Sequence, residues 1–147
     1  MIVRIIQADG AEAEVTVKYA ALTPEVESVI AFLQGKKVTL TGKTEEGTVQ
    51  LKAEDILYIE TVDDKTFACT ADEVVRLDSS LTALMGILDG ISFFRCSKSM
   101  ILNIDKVERL KSLPSNRIDA TMAGGEHILI SRTYASDFRK RIAKGGR

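Results

Sequence analysis

Two short stretches of this 147-residue sequence gather side chains suited to gripping anions. Phe93-Phe94-Arg95-Cys96-Ser97-Lys98-Ser99 sets two aromatics against an Arg/Ser/Lys/Ser cluster. Ile130-Ser131-Arg132-Thr133-Tyr134 places Ser, Arg and Thr where a strand gives way to a helix. Hydroxyls, the free amides of a helix start and long cations hold phosphate, and an Arg or Lys tip can reach the O6 and N7 acceptors of guanine. The plainer alternative at the same residues is Thr133 as an N-cap beside a solvated Arg, with a surface turn at Ser97. Charge weighs toward the first. Residues 1–94 hold 8 Lys+Arg against 16 Asp+Glu and residues 95–147 hold 12 against 5, so the overall −1 conceals parts of −8 and +7. A basic C-terminal third suits a polyanion.

Catalytic chemistry finds little support. A single histidine, His127, rules out a paired-His metal site, and it sits in the apolar run HILIS as a structural or surface residue. Cys69 and Cys96 have no CxxC spacing, and P-loop, GxGxxG and GxSxG patterns are missing. Ser97-Lys98-Ser99 does not make a Ser/Lys nucleophile, because neighbours on a strand point to opposite faces. Asp63, Asp64, Asp72 and Glu73 fall in turns, where acids bond locally. No enzyme activity, cofactor, metal or small-molecule substrate is expected. With 45% apolar residues the chain is not disordered, and its longest uncharged run, Ser79 to Leu88, is too short for a membrane span. The N-terminus does not read as a signal peptide. Reduced thiols in a cytoplasmic protein are the expectation.

The elements that must position these stretches follow from periodicity. Ile2, Val3, Ile5 and Ile6 are β-branched, and Val15 and Val17 alternate with Glu14, Thr16 and Lys18, so two strands are expected there. Thr23-Pro24-Glu25 opens a helix with Val26, Val29, Ile30 and Leu33 on one stripe and Gly35 as its cap. Short strands are expected at Lys37 to Thr41, Thr48 to Lys52, Ile56 to Val62, Thr66 to Ala71 and Glu73 to Leu77. A helix over Ser80 to Asp89 follows, with Leu81, Leu84, Met85 and Leu88 in its stripe. Further strands are expected near Ser92 to Arg95, at Val107 to Leu113, Ile118 to Met122 and His127 to Ser131. Thr133 then caps a last helix carrying Arg139, Lys140, Arg141 and Lys144.

At these residues the chain resembles the LytTR DNA-binding domain of bacterial transcriptional regulators. Ile56-Leu57-Tyr58-Ile59-Glu60 is similar to the family's "ILYIE" strand. FFRCSKSMILNIDKV, Phe93 to Val107, resembles its F-x-R-x-H-x-S-x-x-V-N-x-x-x-I signature, and ISRTY its v-S-R-x-y close. The likeness runs over about residues 37 to 144, with Ser97 where the signature often has His. It implies a mainly β domain of small antiparallel sheets with short helices, here carrying an N-terminal strand/helix extension, that reads successive major grooves through loops and bends the DNA. By the same likeness Lys98 and Arg132 contact bases, and a third contact falls at Lys65 or Thr66. Arg95, Ser97 and Ser99 lie near phosphate, Phe94, Ile101, Leu102 and Val107 in the core, and Asn103 ties its turn by hydrogen bonds. Arg139 and Lys140, on the last helix, add at most phosphate contact or field.

Two domains are expected: an extension over residues 1–36 that helps form a homodimer, and a LytTR-like DNA-binding domain over 37–147. Residues 1–36 cannot build a phosphate-receiving domain, so the resemblance is to the short type of regulator, controlled by abundance, oligomerisation or a membrane-protein partner. The rival reading is a protein-interaction module whose basic face binds an acidic partner. An RNA-binding β domain is disfavoured, since few aromatics are present for base stacking.

Overall fold

Apolar–polar alternation interrupted by turn residues yields ten strands and three α-helices in a computed structural model that describes residues 1–10, 12–34, 38–88 and 92–144. Helix α1 (Pro24–Leu33) begins as its sequence dictates: the Thr23 hydroxyl accepts the Val26 N–H at 3.3 Å and Pro24 fills the first turn. The expected cap Gly35 lies outside the described residues, and Gln34 closes the helix by donating to the Ile30 carbonyl. Strands β1 (Thr39–Thr44), β2 (Gly47–Lys52), β3 (Ile56–Val62), β4 (Lys65–Thr70) and β5 (Val74–Leu77) follow, then α2 (Leu81–Leu88). Next come β6 (Phe93–Ser97), β7 (Met100–Asn103), β8 (Val107–Leu113), β9 (Arg117–Met122), β10 (His127–Ile130) and α3 (Arg132–Lys144). Lys37, Asp89, Gly90 and the Gly145-Gly146-Arg147 tail also fall outside the described residues.

The strands form two antiparallel sheets. One has seven strands in the order β2-β1-β5-β4-β3-β7-β6, and the other three in the order β10-β9-β8. Gly42 lets β1 approach β5: a side chain there would run into Val75 and the Arg76 carbonyl. The β3–β4 hairpin turns on Asp63 and Asp64, with φ of 51° and 63°, the left-handed pair that a two-residue turn needs.

Apolar residues collect on both faces of the β3-β7-β6 edge. Ile56, Ile59, Ile101 and Phe93 join Leu81, Leu84 and Leu88 of α2 in one core. Leu57, Leu102 and Cys96 face the other way, into a second core with Ile118, Ala120, Met122, Ile128 and Ile130 of the small sheet and Ala135 and Phe138 of α3. The expected core places for Ile101 and Leu102 are thus on opposite faces, and Phe94 packs edge-on against Phe138 with ring centres 5.2 Å apart. Burial on both faces makes this edge a rigid platform.

Three local expectations are corrected. Residues 2–6 and 14–18 are not strands: no sheet partner reaches them, and β-branched residues alone do not make a strand without a ladder to join. The stripe Val26, Val29, Ile30 and Leu33 is expected to pack residues 1–36 onto the domain, but no residue of α1 is buried, so that stripe is not sealed onto the sheets. Thr133 is not the cap of α3. That helix starts at Arg132, two residues earlier than a Thr133 cap implies, with the Ser131 carbonyl accepting the Tyr134 and Ala135 N–H groups at 3.0 Å.

Candidate nucleic-acid interface

Lys98 and Ser99 form the turn between β6 and β7, and both are exposed. The register slips by one residue between Arg95 and Ser97, so Cys96 bulges out of the ladder and points into the second core, where it is fully buried. The turn is heavily bonded. The Arg95 guanidinium donates from Nε to the Ser97 carbonyl at 3.2 Å, from Nη2 to the Lys98 carbonyl at 2.5 Å and from Nη1 to the Thr82 hydroxyl of α2 at 3.3 Å. The Ser99 N–H donates to Ser97 Oγ at 3.3 Å.

Two backbone bonds draw other loops alongside. The Thr61 N–H donates to the Ser99 carbonyl at 2.8 Å, which sets the β3–β4 hairpin against one side of the turn. The Ser131 N–H donates to the Cys96 carbonyl at 3.0 Å, which sets the start of α3 against β6. Arg132, exposed in the first turn of α3, therefore shares a neighbourhood with Ser97 and Lys98. Asn103 underpins the same edge from inside. It is 2% exposed, its Nδ2 donates to the Ile56 carbonyl at 2.8 Å, and its Oδ1 accepts the Asp105 N–H at 3.1 Å. It ties its turn as expected.

The third expected contact resolves to one residue. Lys65 is exposed directly after the Asp63-Asp64 turn, whereas Thr66 alternates to the inner face and is 6% exposed, so Thr66 is not presented to a ligand. Lys65 also stands beside two exposed carboxylates, which dilute its pull on phosphate. Ser97 and Ser99 flank Lys98, their hydroxyls 3.5 Å apart. Arg139 and Lys140 are exposed about 10 Å along α3 from Arg132. The Arg139 guanidinium donates to Asn116 in the β8–β9 turn.

His127, exposed, bonds Asp119 at 2.9 Å across the small sheet and takes no part in this constellation. Both cysteines are free and buried. Burial pushes the Cys96 thiol up to about 12, against the pull of the Arg95 charge, and burial likewise raises Cys69. Neither thiol is poised to ionise near neutral pH. Thr61, Thr82 and Asn116, which complete the site's hydrogen bonds, were not singled out from sequence; each acts on a partner at least 13 residues away, beyond the reach of local patterns.

A family model of the LytTr DNA-binding domain matches residues 46–143. Sensory transduction protein LytT of Bacillus cereus is 31% identical over 98 residues, covering 67% of this chain and 40% of that protein, and LytT of Bacillus anthracis matches to the same extent. The chain thus spans about 40% of the length of these curated relatives. A solved LytTr DNA-binding domain from Bacillus cereus superposes with a TM-score of 0.68 at 29% identity, over 71% of this chain and 95% of that one.

Proposed function

The chain belongs to the LytTR DNA-binding domain family, and from that premise we propose that it is a sequence-specific, double-stranded-DNA-binding transcriptional regulator of a bacterial cytoplasm. The observation that carries this reading is the convergence of two cation-bearing loops and the cation-bearing start of α3 on one rigid edge. The β6–β7 turn with Lys98 is bonded through Ser99 to the β3–β4 hairpin with Lys65, and β6, which leads into it, is bonded through Cys96 to the start of α3 with Arg132. Loops rather than a recognition helix then enter the major groove. Lys98 and Arg132 donate to base edges, Arg132 in bidentate fashion where it meets guanine, and Lys98 as a single charged donor. Hydroxyls of Ser97 and Ser99 and the unpaired amides at the start of α3 take phosphate oxygens and set the register on the duplex. Two copies occupy paired half-sites as a homodimer.

Selection of bound duplexes from a random pool, followed by titration at several salt concentrations, tests the reading. A recovered consensus bound about a thousandfold or more above random duplex, with affinity falling steeply as salt rises, is the expected result. No consensus and no salt dependence would reject it in favour of an interaction module with an acidic protein partner.

A further inference from the structure

We infer that Arg95 is a positioning residue that sets the base preference of the β6–β7 turn, and that it is not a phosphate ligand. This rests on the DNA-binding function proposed above and deepens it. Three successive carbonyls of the turn, those of Ser97, Lys98 and Ser99, are each held by a donor from elsewhere: two by the Arg95 guanidinium and the third by the Thr61 N–H. Arg95 is itself anchored by the Thr82 hydroxyl of α2, a helix that carries none of the candidate contacts.

The chemistry of the side chain supports the assignment. A lysine stem has four rotatable carbons, and its tip selects one base edge only if its backbone does not wander. A planar guanidinium with donors in a fixed fork can hold two carbonyls and a hydroxyl together, which a point-like ammonium cannot do. Arg95 is half-buried, and each of its three guanidinium nitrogens already donates one hydrogen bond, three of its five N–H groups. Its charge is therefore turned inward onto the loop, and the chain α2–Thr82–Arg95–turn braces Lys98 from behind.

The test titrates the full chain and its Arg95→Met, Arg95→Lys and Thr82→Val variants against the selected site and random duplex at several salt concentrations. Thermal melting of each variant runs in parallel. Both Arg95 variants are expected to lower the ratio of site to random affinity about tenfold, with random-duplex affinity and salt slope unchanged and no rescue by lysine. Thr82→Val should shift the same ratio by about two- to threefold. If Arg95→Met does not stay folded, Arg95→Lys and Thr82→Val carry the decision. The inference is overturned if Arg95→Met weakens both duplexes equally and lowers the salt slope by about one while lysine restores binding, because that is a phosphate contact. It is overturned equally by an unchanged ratio in Arg95→Lys and Thr82→Val. A wild-type chain without preference for any duplex would instead reject the DNA-binding function itself.

Discussion

Lys98 and Arg132 present different head groups at neighbouring points, and the difference sets what each should read. Lys98 is exposed on a turn whose carbonyl is held by Arg95, and Arg132 is exposed as the first residue of α3, whose start is bonded to β6. Truncating either to Ala is expected to cost about 1–3 kcal/mol of site affinity and to flatten preference at particular base pairs. Titration against point-substituted sites checks this; an equal loss on random duplex would remove Arg132 from the base readers. The buried Cys96 thiol has a different consequence, in alkaline stability. Its pKa rises on folding from 9.0 to about 12. Below pH 9 the thiol is protonated in both states and the full stability is present. Above pH 9 the unfolded chain ionises while the folded chain does not, so stability falls toward pH 12 by about 1.4 kcal/mol per unit for this one group. Cys96→Ala should therefore lose less stability than wild type between pH 8 and pH 10 in urea unfolding. Parallel losses would show that other groups govern the alkaline limb. Affinity for duplex should stay within a few-fold when both cysteines are replaced by Ala.

At the scale of elements, α3 is expected to divide into a reading end and a supporting body. Arg132 opens the helix beside the turn, whereas Arg139 and Lys140 ride on its exposed middle, with Arg139 bonded to the β8–β9 turn. Charges there are expected to contribute only field or backbone contact to the duplex. A joint Arg139→Ala/Lys140→Ala change is expected to weaken all duplexes alike and to lower the salt slope by at most about 2. A change in the preferred sequence would contradict this division of the helix.

For the whole molecule, the N-terminal segment carries most of the exposed apolar surface that calls for a partner. Ile2, Val3, Ile5 and Ile6 are exposed, Ile5 at 93%, and Phe32 of α1 at 82%. So much apolar surface without an intramolecular partner is uncommon in a protein that works alone. Residues 1–36 are expected to join two copies of the chain, which would align two reading edges on paired half-sites. Light scattering of the full chain and of a version lacking residues 1–36 decides it: the mass should halve and half-site cooperativity should vanish. An unchanged mass with unchanged cooperativity would assign the segment another role.

What the sequence determined by itself was local. The Thr23 cap and Pro24 start of α1, the bounds of β3, the Asp63-Asp64 reversal and the basic C-terminal third all follow from residues within a few positions of one another. The family signature likewise placed Lys98 on a turn and Asn103 at a tying position, whereas Arg132, read as a loop residue, is the first residue of α3. Tertiary structure decided the rest, because most remaining features depend on a partner distant in sequence or on how the backbone turns. Ile2 to Ile6 have strand-forming residues but no ladder to join, and Thr66 is buried at an inner position of β4 between β3 and β5, which its own type does not dictate. The cores on the two faces of the β3-β7-β6 edge exist only because α2 arrives on one side and the small sheet with α3 on the other. Arg95 reads in sequence as a cation for phosphate; the approach of Thr82 and the reversal at Lys98 turn its donors inward. A side chain's type sets what it can bond, and the fold sets which partner comes within 3 Å or so.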